Sequence, residues 1–239
     1  MKNKLIIFIL ISFVLSLKGQ ETKTTFGLQY KPIIPSKYFN SSHINEIFGE
    51  YTTNLTPKYS NVFGMIIRQK INKTFSIESS LNYTQKNYTL TINNSTVNIN
   101  DFTNFGIRSY EIPMQLLTYV RILNAWHLNV AFGISHNVLA SDVLSYGNNT
   151  TFFFQNTYRK NGGYRALLTN VGVEYRTEEK GSFYMGTSLH RPWGEIGRIY
   201  PEYTDEENSF NTFNNFNDKF FLELTGNFIT IDFRYFFPN

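Results

Sequence analysis

Eight stretches of this chain alternate apolar and polar residues with a period of two, and the charged residues fall largely on the polar face. Successive side chains of a strand point to opposite faces, so the pattern predicts β-strands that are each apolar on one side only. The cleanest is FSIESSLNYTQ, where Phe75, Ile77, Leu81 and Tyr83 oppose Ser76, Glu78, Ser80, Asn82 and Thr84. In SYEIPMQLLTYVRI, Tyr110, Ile112, Met114, Leu116 and Val120 oppose Glu111, Pro113, Gln115 and Arg121. The others are TFGLQYKPI, VFGMIIRQKI, WHLNVAFGISH, ALLTNVGVEYR, SFYMGTSLH and NFITIDFRYFF. A tilted strand of about ten residues crosses the apolar layer of an outer membrane.

The connections between these strands alternate in length. Short ones fall at Asn72–Lys73, Leu123–Ala125 and Thr177–Gly181, and long polar ones near 36–60, 86–107, 140–163 and 191–218. Short turns at one rim and long loops at the other are the pattern of an outer-membrane barrel. The predicted fold is an all-β, eight-stranded antiparallel up-and-down transmembrane β-barrel spanning residues 20–239. One phase break stands out. In FFLELTGNFITIDFRYFF the alternation shifts around Gly226, which predicts a bulge at Thr225–Asn227 or a strand that stands clear of the membrane above that point. A hairpin turn at TGN is the third option and would raise the strand count.

Residues 1–19 read as a signal peptide. Two lysines precede an apolar core from Leu5 to Leu17, which is 13 residues long. A membrane-spanning helix needs about 20, and a basic start, a short apolar run and small Gly19 fit a cleaved export signal. Loss of Lys2, Lys4 and Lys18 takes the formal charge from +4 to +1, which is no footprint for nucleic acid. Cysteine is absent, so there is no disulfide framework, thiolate metal site, catalytic thiol or lipoprotein anchor.

An eight-stranded barrel has an interior that side chains just fill. The polar faces place Arg68, Lys70, Glu78, Glu111, Arg121, Glu174, Arg176, Asp232 and Arg234 in it, four acids and five bases. An unpaired charge there is costly, so a mutually neutralising network is expected. Aromatic residues make up 17% of the chain, and several sit where interfacial girdles belong. Phe75, Trp126, Tyr175, Phe183 and Phe237 lie outward near the short-turn rim or the C-terminus, and Tyr83 and Tyr110 flank the second long connection. Rings with one apolar and one wet end favour that depth. Pro113 removes one ladder hydrogen bond, which a bulge or local widening would accommodate.

The stretch SYEIPMQLLTYVRI followed by LNVAFGISHNVL resembles the outer-membrane β-barrel domain family common in the Bacteroidetes, which includes PorT-like proteins. INKTFSIESSLNYTQKNYTL is similar to that family's short turn leading into a strand ending in Tyr-Thr-Gln. The resemblance covers most of residues 24–238 and implies the barrel fold and an outer-membrane location in a Gram-negative cell. It implies little about activity.

Catalytic and metal-binding candidates are few. Of His43, His127, His136 and His190, only His136 falls at a predicted outer rim, with Ser135, Ser141 and Asp142 close in sequence. A Ser/His/Asp set there could transfer or hydrolyse an acyl chain, but one strand end supplying all three is awkward, and an ordinary rim histidine is the expectation. His127 and His190 are expected in the lumen. Glu202, Asp205, Glu206 and Glu207 cluster in the fourth long connection without the spacing of a calcium loop. The expectation is therefore a small non-enzymatic outer-membrane barrel without cofactor or metal, presenting long extracellular loops as a structural or interaction component of the envelope. Its expected partners are outer-membrane lipid and lipopolysaccharide, the barrel-assembly machinery during biogenesis, and other envelope proteins. Competing readings are a narrow pore, a surface enzyme acting on lipid, and a soluble periplasmic barrel with an apolar lumen and polar exterior.

Overall fold

The structure is a computed structural model and describes residues 23–35, 44–177, 179–207, 209–212 and 219–238. The signal-peptide reading and His43 lie outside the described residues. Eight long strands follow one another around a ring: β1 (Thr24–Ile34), β4 (Ser60–Lys70), β5 (Phe75–Asn94), β6 (Ile99–Arg121), β7 (Trp126–Leu139), β10 (Gly163–Arg176), β11 (Ser182–Pro192) and β15 (Phe228–Phe236). Each pairs antiparallel with its neighbours in the chain, and β15 pairs with β1 to close the ring. These are the eight alternating segments. β2 (Ile44–Phe48) and β3 (Tyr51–Pro57) extend the same sheet beyond β5.

Side-chain chemistry explains the short turns. At the β4–β5 turn, Asn72 Oδ1 accepts from the backbone N–H groups of Thr74 and Phe75, both at 2.8 Å, a local bond that favours asparagine in turns. The β10–β11 turn is drawn in by Thr177, whose N–H and hydroxyl both donate to the Gly181 carbonyl. Gly181 has φ +77°, and a Cβ there would sit 2.1 Å from the Phe236 carbonyl oxygen. Only glycine suits that site.

The opposite end of the ring differs from the expected long polar loops. β5 and β6 continue as one hairpin to Asn94 and Ile99, so the 86–107 connection shrinks to a tight turn. The third and fourth long segments, with the residues just after the fourth, build a second sheet from β8 (Val143–Tyr146), β9 (Phe153–Arg159), β12 (Gly197–Thr204), β13 (Ser209–Phe210) and β14 (Leu222–Leu224). Between this sheet and the upper parts of β3, β5 and β6 lies an apolar core that includes Leu90, Ile92, Phe105, Phe153, Ile199 and Leu222. The physical reason is visible in YTLTINN and NFGI: the residues of inward parity, which are polar lower in the same strands, here become Leu90, Ile92, Phe105 and Ile107. These segments bury apolar area against one another, so they fold as a sandwich over the end of the barrel.

The phase break at Gly226 has the same origin. Gly226 takes φ +69°, and around it the chain passes from β14, which pairs with β12 in the second sheet, to β15 in the ring. At Pro113, the β5–β6 ladder skips the pairs between Ser79–Met114 and Asn82–Glu111, and Ser79 Oγ donates to the Pro113 carbonyl at 2.9 Å. Leu90 is fully buried in the sandwich. Leu90→Ala is expected to destabilise this end of the molecule by about 2–5 kcal/mol, measured as a lower denaturant concentration for protease cleavage within the second sheet.

Candidate functional site

The barrel interior is the most elaborate polar assembly among the described residues. β1, β4, β5, β10 and β15 send alternate residues inward, and their charges form one continuous chain. Lys31 Nζ lies 3.3 Å from Asp232, Arg234 bridges Asp232 and Glu78 at 2.8 Å each, and Arg68 bridges Glu78 at 2.6 Å and Glu174 at 2.7 Å. Glu174 then pairs with Arg176. The signs alternate along all seven groups. β4 and β10 are diametrically opposite in the ring, so the Arg68–Glu174 contact crosses the full lumen.

Neutral side chains add donors to two of the three carboxylates. Asp232 accepts from Ser188 at 2.6 Å and from Asn170 at 3.1 Å, and Glu174 accepts from Asn129 at 2.9 Å. The Arg68 guanidinium stacks 3.8 Å from the centre of the Phe236 ring. Carboxylates bonded this fully, and guanidiniums held between them, are what makes buried charge tolerable. Glu78, Glu174, Asp232 and Arg234 are each no more than 3% exposed. The network fills the section it occupies.

Above it, Glu111 accepts from Asn82 at 2.9 Å and lies 3.4 Å from His190 Nε2. His190 stacks on Phe228 at 4.2 Å, and Lys86 donates to the Gly226 carbonyl at 2.9 Å with its ammonium over the same ring. This layer separates the charged lumen from the apolar sandwich.

Three of the nine expected network members lie outside this charge chain: Glu111, in the layer above it, and two residues at the short-turn end. Arg121 is exposed and donates to Asn124 within the β6–β7 turn. Lys70 is exposed at the mouth of the short-turn end and has no carboxylate within ion-pair distance among the described residues. Their parity is inward, but both sit at the last residue of a strand, beyond the packed section. Parity gives the face of a residue and not its height. Conversely Lys31, Asn82, Asn129, Asn170 and Lys86 belong to the interior and were not singled out, although all lie on the polar parity of their strands.

The aromatic residues expected as girdles form cross-strand or near-neighbour pairs. Tyr83 and Tyr110 have ring centres 5.9 Å apart, and Trp126 and Tyr175 lie 5.0 Å apart at the other end. Phe183 and Phe237 flank Tyr235 at 4.9 and 5.4 Å, and Phe75 is exposed beside the β4–β5 turn. Between the two ends the outside of the ring is apolar and open, with Met65, Met114 and Phe132 each about 60% exposed.

The catalytic candidates are not brought together. Ser135 points inward and His136 outward from adjacent positions of β7, and Asp142 pairs with Arg159 at 3.3 Å. Ser135 instead lies 3.5 Å from His190 Nε2, the same nitrogen that faces Glu111. A serine and a carboxylate on one nitrogen do not make a relay. His127 sits at the short-turn end, opposite Arg121 in the ladder. In the acidic segment Glu202 turns inward to Lys219 at 2.7 Å, while Asp205 accepts from Tyr203 and from the Glu207 N–H. Beside the second sheet, Lys160 and Arg198 donate to Glu195 and hold its carboxyl below the usual carboxylate range.

No family model and no curated protein matches the sequence. Among solved structures, the chain is similar to the outer membrane protein OprG from Pseudomonas aeruginosa, with 11% identity, a TM-score of 0.53, and 90% of this chain and 96% of that one covered. A second match is the outer membrane protease OmpT from Escherichia coli, at 9% identity and 90% and 93% coverage; its TM-score of 0.36 is too low to argue from. The chain therefore has the fold of an outer-membrane β-barrel protein, and the likeness is one of fold alone.

Proposed function

We propose that the chain is a small outer-membrane barrel of a Gram-negative cell, inserted through the apolar band of its eight-strand ring, with the sandwich on the extracellular side and the short turns in the periplasm. It acts through what it displays and holds, as a structural or interaction component of the envelope, and not through catalysis. Support comes from one feature of β5 and β6. Along each continuous strand the polarity inverts without any change of parity. Outward Leu81, Tyr83 and inward Asn82, Thr84 give way to outward Gln85, Asn87 and inward Leu90, Ile92. On β6, outward Tyr110, Ile112 and inward Glu111 give way to outward Arg108, Asn104 and inward Ile107, Phe105. A strand with lipid outside needs the first pattern and a strand with water outside needs the second. The boundary falls beside Tyr83 and Tyr110, where an aromatic girdle belongs. A soluble barrel has no reason to change sides midway. The likeness of the Glu-Ile-Pro strand to the Bacteroidetes barrel family is part of the same reading.

Export by residues 1–19, contact with lipid and lipopolysaccharide, and insertion by the barrel-assembly machinery follow from this placement. Membrane fractionation is expected to recover the protein with the outer membrane, and unboiled samples are expected to migrate differently from boiled ones on electrophoresis. Recovery in the soluble periplasmic fraction overturns the reading. The pore alternative is disfavoured by the filled lumen and the sandwich above it. In planar bilayers the purified protein is expected to add no conductance.

A further inference from the structure

At the short-turn end, the barrel interior widens into a cavity of about 300 Å³. Its wall carries Lys23, Lys70 and Lys73, and its inner side carries Arg68 and Arg176. Among the described residues the single carboxylate in the lining is Glu174, and it is engaged by Arg68, Arg176 and Asn129. Among the described residues none of the three lysines lies within ion-pair distance of an acid. The Lys70 N–H donates to the Lys23 carbonyl at 3.1 Å, so these two lysines face each other across neighbouring strands. Like charges directly opposite on a sheet are destabilising. The usual remedy, an intervening carboxylate, is absent from the lining among the described residues.

The cavity is also blind. Arg68 forms its floor, 7% exposed and immobilised between two carboxylates and the Phe236 ring, and the rest of the network closes the lumen behind it. The hydroxyl residues Ser76 and Tyr119 complete the wall. A cleft lined by one sign of charge with low-dielectric walls concentrates counter-ions of the other sign. Ammonium groups on long flexible stems adapt to clustered oxyanions.

We propose that this vestibule is a binding site for a compact anion carrying at least two phosphate or carboxylate groups, entering from the short-turn end. The lysines supply the charge, and the paired floor excludes passage through the barrel. A fixed charge cluster of this kind suits holding a ligand rather than conducting it. The site depends on the barrel interior alone and not on the membrane placement above. The same oxyanion chemistry has two sources, a soluble anion or the headgroup of an anionic lipid.

The test is isothermal titration of the full-length mature protein in zwitterionic detergent at low salt, with pyrophosphate as one probe and phosphatidylglycerol in mixed micelles as the other. The same titrations follow on the double variant Lys70→Gln/Lys73→Gln, and the heat-dependent mobility shift serves as the check that each protein is folded. Saturable pyrophosphate binding is expected, weakened by added salt and by about ten-fold or more in the double variant, the scale of losing two charge-assisted contacts. Lys70→Arg, which keeps the charge, is expected to retain binding. Saturable binding of the lipid alone, with the same loss in the double variant, keeps the site and assigns it a headgroup. Failure of folded wild-type protein to bind either probe, or equal binding by the folded double variant, overturns the proposal.

Discussion

Arginine at Met114 is expected to destabilise the inserted barrel by about 2–4 kcal/mol, the cost of a cation on the lipid face near the midplane. Arginine at Asn100, on the same face of the same strand, is expected to change stability by no more than about 0.5 kcal/mol. Both side chains point outward from β6 and both are exposed. The difference lies in what surrounds them. Met114 is in the middle of the outward apolar run from Tyr110 to Val120, whereas Asn100 stands above the inversion, beyond Arg108, which is itself an outward arginine. Denaturant unfolding from lipid vesicles checks both variants. Equal effects at the two positions would mean that one medium bathes the whole strand, and the boundary drawn at Tyr83 and Tyr110 would fall.

The second large effect is expected at Arg68. Arg68→Met is expected to cost about 3–5 kcal/mol, the scale for removing one partner of a buried ion pair. Arg68 is the bridge between Glu78 and Glu174, so its loss leaves two buried carboxylates with one charged partner each, Arg234 and Arg176. Methionine fills much of the stem volume, which confines the change to charge. A lower heating temperature for the electrophoretic mobility shift measures it. Arg121→Met is the matched control, since Arg121 is exposed at the end of β6 and its side chain donates to Asn124, with no ion pair among the described residues. It is expected to leave the shift where it is.

The eight ring strands were legible because two independent signals agree in them. Alternation identifies a strand, and charges confined to one parity identify the face turned into the barrel. The short turns carried their own marks in Asn72 and Gly181. The sandwich was not legible, for a physical reason. The upper parts of β5 and β6 alternate Thr and Asn with Leu, Ile and Phe, which reads in an asparagine-rich stretch as a polar loop. β8, β13 and β14 have four, two and three residues, too few for a period to show. The inversion on β5 and β6 could have been seen in the sequence, because parity is unbroken from Phe75 to Asn94 while the chemistry changes sides. Within the lumen, parity placed Arg68, Glu78, Glu174, Arg176, Asp232 and Arg234 on the inner face, but it gave neither Lys31 nor the partner each group meets. That Arg68 meets Glu174 rather than another acid follows from which strands lie across the ring. That Lys70 stands outside the network follows from its height on β4.

The closure of the ring joins the two most distant strands of the chain. β1 pairs with β15 through Gly27–Phe236 and Leu28–Tyr235, a separation of about 200 residues. Contacts of that range form late, because the entropy of bringing the ends together must be met before the bonds between them contribute. Until the last strand arrives, β1 and β11 both present unpaired backbone donors and acceptors, ready templates for another chain. A copy truncated before Phe228 would carry two such open edges together with a wide apolar belt. Its predicted fate is aggregation rather than a smaller barrel, and its last nine-residue strand therefore decides whether the other seven are soluble cargo or a hazard on the way to the membrane.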